Sequence, residues 1–130
     1  MSYPTMVEIP IEIDARISPN SRAHWRTKYL IQQEMKNTTY TAMQAAGPHG
    51  SLHNAPPPLT LNYVVGLGFR RKKMDDDNIK ASLKYVQDGI AAYLGIDDKH
   101  MIVGTVEQVS AGNGKQPFVR VIISSQEAHT

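Results

Sequence analysis

An α+β fold of one domain is predicted for this 130-residue chain by two sets of alternating strands and two intervening helical stripes. The strand pattern occurs at residues 7–15, 59–69, 101–109 and 117–124, and the helical pattern at 21–46 and 78–94. The expected order is therefore β-α-β-α-β-β, a single compact domain over residues 1–130 in which a mixed sheet packs against two helices.

Each element has a local reason. In "VEIPIEIDA", Val7, Ile9, Ile11 and Ile13 alternate with mostly polar residues, and Pro10 assigns the strand to an edge or a bulge. "SPNS" at 18–21 is a turn and N-cap region. The next stripe, Trp25, Tyr29, Ile31, Met35, Thr39, Ala42 and Ala46, steps by about one helical turn, so Trp25 is expected in the core. "GPHGSLHNAPPP" at 47–58 cannot continue a helix and reads as a loop. Leu59, Leu61, Tyr63, Val65, Leu67 and Phe69 then define an amphipathic strand. Ile79, Leu83, Val86, Ile90 and Tyr93 step by 4, 3, 4 and 3, and Gly95 supplies a C-terminal cap. "AGNGKQ" reads as a hairpin between the last two strands.

Composition narrows the chemistry. Hydrophobic residues at 41% and charged residues at 20% are ordinary for a soluble globular protein. With no cysteine, disulfides, thiolate catalysis and cysteine-ligated metal centres are excluded, and a cytoplasmic setting is expected. The N-terminus shows no signal-peptide pattern, and no apolar run reaches the roughly 20 residues of a membrane span. His24, His49, His53, His100 and His129 have no metal-ligand spacing. The net charge of +2 does not itself announce a nucleic-acid binder.

Charge distribution is more informative. Arg70, Arg71, Lys72 and Lys73 stand one residue before Asp75, Asp76 and Asp77, between a strand and a helix. Four cations at a strand end suit phosphate neutralisation, or simply keep a sheet edge solvated. One aspartate would serve as a helix cap; three in succession exceed that need. Asp75 and Asp77, as alternate members, can face one way, and adjacent ionised carboxylates favour a cation between them. An all-oxygen donor set selects Mg²⁺, with Mn²⁺ as a substitute, over zinc. On the helix, Lys84 lies seven residues beyond Asp77 and so returns to nearly the same face. Lys80 and Lys84 can steady developing negative charge on a phosphate, or pair with neighbours such as Asp88. A second acidic pair, Asp97 and Asp98, follows the helix. A helix of about 17 residues is about 25 Å long. The two acidic groups thus meet only if the helix breaks or if Asp97 and Asp98 reach another chain; otherwise the second pair turns the chain. Arg22, Arg26 and Lys28 around Trp25 form a possible second contact patch.

The succession of a basic run, "DDDN", a lysine-bearing helix, "DG" and "DD" resembles the RusA-type Holliday junction resolvases (crossover junction endodeoxyribonucleases), in particular a phage-like subgroup. The family's Asp-x-Asp-Asn motif corresponds to Asp75, Asp77 and Asn78, and its downstream acidic pair to Asp97 and Asp98, with Asp98 the better match to the catalytic position. "SPNSRAHWR" is similar to the turn and basic aromatic stretch of many members. The likeness touches residues 7–124, and its specific part is 70–98. It implies a homodimeric, Mg²⁺-dependent endonuclease that resolves four-way DNA junctions in recombination and repair. On that basis Asp75, Asp77, Asp98 and Lys84 are the expected catalytic residues, and Asp75, Asp77, Asp97 and Asp98 the expected metal ligands. Arg70, Arg71, Lys72, Lys73, Arg22 and Arg26 would hold DNA. The chain departs from the family at Ala81, where the best-known members carry their catalytic lysine; Lys84 matches the lysine of a longer-helix subgroup. A non-catalytic phage nucleic-acid-binding protein of the same fold is the alternative, and a scaffold domain with a solvated charged face is a third reading.

Overall fold

A computed structural model describes residues 5–13, 22–46, 58–68 and 71–125. The chain runs through β1 (Thr5–Ile9), α1 (Trp25–Ala46), β2 (Leu59–Leu67) and α2 (Asp76–Leu94). A short 3₁₀ turn (Asp98–His100), β3 (Met101–Ser110) and β4 (Phe118–Ser125) complete the expected β-α-β-α-β-β order. No helix among the described residues is long and apolar enough to cross a membrane.

The four strands form one mixed sheet in the order β1-β4-β2-β3. β4 is antiparallel to both β1 and β2, whereas β3 runs parallel to β2, to which α2 connects it. This corrects the hairpin expected at 111–116: β3 and β4 are not paired, because β2 lies between them. The connection crosses the end of β2, tied there by the Ala111 N–H donating to the Leu67 carbonyl at 2.8 Å. β1 is an edge strand, one of the two settings that Pro10 suggests, and it stops at Ile9, short of the strand expected over 7–15. The segment then turns off the ladder, its Ile11 N–H donating back to the Ile9 carbonyl at 2.8 Å.

Alternation decides which sheet face is covered. Leu59, Leu61, Tyr63, Val65 and Leu67 of β2, Val119, Val121 and Ile123 of β4, and Val7 and Ile9 of β1 all point into one core. Both helices close that face. α2 contributes Ile79, Leu83, Val86, Ile90 and Leu94, and α1 contributes Met35, Thr39 and Met43. The other face carries polar pairs such as Arg120 on β4 with Glu8 on β1, 2.9 Å apart at opposing register positions. At the β2–β3 junction a bulge shifts the register between Leu61 and Tyr63, and the Asn62 carboxamide oxygen accepts from the Thr105 N–H at 2.7 Å.

The helices meet at a small residue. A Cβ at Gly89 of α2 would lie 2.7 Å from the Lys36 carbonyl oxygen and 2.7 Å from Thr39 Cβ of α1. The absent side chain is what allows this close approach. α2 then runs unbroken to Gly95, which takes the left-handed conformation (φ 70°) and donates to the Ala91 carbonyl. The stripe expected of α1 holds only in part. Met35 and Thr39 are buried, but the first turns face solvent and leave Trp25 67% exposed. Trp25 is therefore not a core residue.

Beneath α2, the Tyr63 hydroxyl is buried without a hydrogen-bond partner among the described residues. Burial first, and the Asp88 carboxylate second, push this phenol well above the ordinary tyrosine range. The unfolded chain releases the Tyr63 proton above about pH 10 while the folded chain retains it, so stability is full below that pH and declines above it. Urea titrations at pH 7 and about 10.5 should show this decline in the wild type and a smaller one in Tyr63→Phe. The variant forfeits no hydrogen bond and should be at least as stable at pH 7. Identical declines would contradict the assignment.

Candidate functional site

The acidic run sits where β2 hands over to α2. Asp75 is the N-cap residue, in extended conformation, with its carbonyl accepting from the Ile79 N–H at 3.0 Å. Its carboxylate makes no capping hydrogen bond, so the cap requirement does not consume the side chain. Asp76 and Asp77 occupy the first helical turn, where proximity to the helix dipole offsets about 0.3–1 kcal/mol of their mutual repulsion. All three are exposed.

Two long-range contacts hold this turn, and neither was anticipated. The Gln108 carboxamide of β3 brackets Met74: it accepts from the Met74 N–H at 2.8 Å and donates to the Met74 carbonyl at 2.8 Å. Arg71 donates to the Ile13 carbonyl at 2.8 Å and lies 3.2 Å from Glu12, joining the turn to the segment after β1. Their partners lie 34 and 58 residues away, which no local pattern could register.

Of the basic run, Arg71 is thus half-buried and engaged as a tether, while Lys72 and Lys73 are exposed. Arg70 lies outside the described residues. Along α2, Lys80 stands about 4.5 Å and Lys84 about 10.5 Å farther up the axis than Asp77, both exposed, with Lys84 nearly in line with Asp77. Helical side chains lean toward the N-terminus, so both lysines tilt toward the acidic turn.

Asp97 and Asp98 are elsewhere. α2 is continuous over 19 residues, about 28 Å of axis, and this removes the possibility of a broken helix. The sheet register agrees: Met101, just after the acidic pair, lies beside Leu59 at the start of β2, whereas Gly66 and Leu67 at its end lie beside Val109 and Ser110. The two acidic pairs therefore stand at opposite ends of the sheet. Asp97 Oδ1 accepts from the Lys99 N–H at 3.2 Å, and its carbonyl accepts from the His100 N–H at 3.0 Å, so Asp97 shapes the 3₁₀ turn. The Asp98 side chain lies outside those described. Among the described residues no group of three or more His, Asp or Glu side chains could together hold a metal ion. Exposed carboxylates at Asp75 and Asp77 match in chemistry the oxygen donors a hard divalent cation takes, but they make only part of a ligand shell.

The start of α1 shares the end of the sheet with the acidic turn. Because β1 and β2 are both antiparallel to β4, they run the same way. Pro10, Ile11 and Glu12, past the end of β1, share a cleft with Ile31, Glu34 and Met35, and Glu8 and Pro10 share another with Ala42, Ala45 and Ala46. α1 is thereby antiparallel to β1, and its first turn, with Arg26, lies toward the strand end that Arg71 ties to the acidic turn.

No protein-family model matches this sequence. An uncharacterised protein of Xylella fastidiosa (strain Temecula1) is 27% identical over 112 residues, spanning 86% of this chain and 72% of that protein.

Gln108→Ala removes two hydrogen bonds from a half-buried site and should cost about 1–3 kcal/mol in urea unfolding. Amide exchange at 74–79 should accelerate more than elsewhere in α2. Uniform acceleration along the helix would show that Gln108 does not hold the turn specifically.

Proposed function

We propose that the protein is a Mg²⁺-dependent DNA endonuclease acting on branched DNA, with four-way junctions as the substrate, and that its working unit is a homodimer. The observation that carries the reading is the carboxylate of Asp75 left unused by capping, with Asp77 two residues on at the start of α2 and exposed Lys72 and Lys73 just before it. A structural cap has no use for such an excess of charge. The resemblance of residues 70–98 to RusA-type resolvases supports the same chemistry.

In this reading Asp75 and Asp77 hold the cation, which when bound supplies Lewis-acid polarisation of the phosphodiester. Lys72, Lys73 and Arg70 bind the DNA backbone, and Lys84, reaching back along α2, would offset negative charge on the phosphate as a water oxygen bonds to phosphorus and the ester P–O bond breaks, the departing oxygen taking up a proton. Asp98 cannot join Asp75 and Asp77 within one copy, given the length of α2. It completes the site only if a second copy brings its own Asp98, with Asp97 beside it, to the first copy's helix start. The resolvase likeness asks for a twofold dimer in any case, since symmetric resolution needs two sites.

A synthetic four-way junction incubated with the protein and Mg²⁺ should yield paired nicks. Asp77→Asn should reduce nicking more than about 100-fold while leaving junction binding intact, and Lys84→Ala should reduce it roughly 10²–10³-fold. Binding without nicking in either Mg²⁺ or Mn²⁺ would favour a non-catalytic DNA-binding protein. Absence of salt-sensitive binding would overturn both readings.

A further inference from the structure

We propose that the first turns of α1 form a stacking platform for unpaired bases of DNA, with Trp25 and Tyr29 as its surface. The inference rests on the reading of the protein as one that binds DNA, but it does not require cleavage. It begins from an exposure that the fold does not explain. Trp25, the single tryptophan of the chain, is 67% exposed, and Tyr29, one turn on and on the same side, is 53% exposed. Large aromatics left in solvent together mark a contact surface more often than an unfilled core.

The indole lies between its two neighbours in the sequence. The His24 ring caps the helix, its Nδ1 accepting from the Arg26 N–H at 3.1 Å, and it lies 5.6 Å from the Trp25 ring at 32°. The Arg26 guanidinium stands 5.7 Å from the indole centroid.

Charge selects the occupant. Arg22 and Arg26, both exposed, flank the indole on either side in the sequence, and no aspartate or glutamate lies between Arg22 and Gln33. A second copy placed here by twofold symmetry would bring these cations face to face with their own equivalents, which disfavours self-association. A ligand that is both polyanionic and rich in flat π-faces satisfies cations and aromatics together, and single-stranded nucleic acid is that ligand. Paired bases inside a duplex present no free face to an indole, so the platform discriminates unpaired bases, such as those at a branch point. Its position agrees, since α1 starts at the same end of the sheet as Asp75.

Because Trp25 is the only tryptophan, fluorescence excited at the red edge, where the six tyrosines do not absorb, reports this position alone. A dT oligonucleotide and a splayed DNA fork should quench the emission strongly at moderate salt. A blunt duplex of equal charge, and inorganic polyphosphate, should quench it little. Trp25→Ala, whose side chain is exposed and whose fold circular dichroism can check, should bind the oligonucleotide about ten- to hundred-fold more weakly, and Tyr29→Ala should show a smaller loss. Equal quenching by duplex or polyphosphate would overturn the proposal. So would emission typical of a buried indole that reddens on dilution, which would place a second copy on this face. Nicking of a four-way junction is read in parallel: quenching without nicking leaves the platform standing and removes the nuclease, and nicking without base-selective quenching does the reverse.

Discussion

The uninterrupted packing of α2 along β2 is the constraint on which the rest of the structure depends. Ile79, Leu83, Val86, Ile90 and Leu94 form one apolar face, set against the inward residues of β2 and β4 and closed sideways by α1. Burying these side chains is worth about 1.5–3 kcal/mol each, so a break in the middle of the helix would forfeit several of them at once. Straightness follows, and with it a fixed distance between what stands at the two ends. The N-terminal end presents Asp75, Asp76 and Asp77; beyond the C-terminal end come Asp97 and Asp98. A parallel β2–β3 pair needs a crossover that runs the length of the sheet, and so the same connection that builds the fold separates the carboxylates.

That separation shapes the proposed chemistry. A site of only Asp75 and Asp77 is an incomplete shell for a hard cation, and among the described residues no third carboxylate joins them. The proposed dimer resolves the deficit without deforming the helix. The tethers around Met74 acquire meaning in this setting. Gln108 and Arg71 hold the turn from two directions, fixing the backbone just before Asp75. Arg71 is then a residue that serves placement, and Lys72 and Lys73 are the cations left facing solvent.

Much of the fold was legible because periodicity is a local property. The 4-3-4 spacing of Ile79, Leu83, Val86 and Ile90, the alternation of β2 and the cap at Gly95 appear where the sequence places them, whereas Leu94 rather than Tyr93 closes the buried face of α2. Strand order was not legible: "AGNGKQ" has the residues of a hairpin turn, and nothing local announces that β2 separates the strands it joins. Trp25 misled for a related reason. Its spacing continues the apolar stripe of Met35 and Thr39, but a stripe does not say where the underlying sheet ends. At the site, the residue types of the acidic run were visible in order, while the clamp by Gln108 and the tether to Glu12 belong to contacts that only the folded chain creates.

Mixing two inactive variants gives the most direct measurement of the central claim, that one working site draws carboxylates from two copies. Asp77→Asn and Asp98→Asn proteins, each inactive alone, are combined, unfolded together and refolded, and nicking of a four-way junction is measured. With shared sites, half the dimers are mixed and each mixed dimer regains one wild-type site, so activity should return to about a quarter of the wild-type level. No recovery, from variants shown to exchange subunits, would mean that each site is built within a single chain, contrary to the geometry of α2.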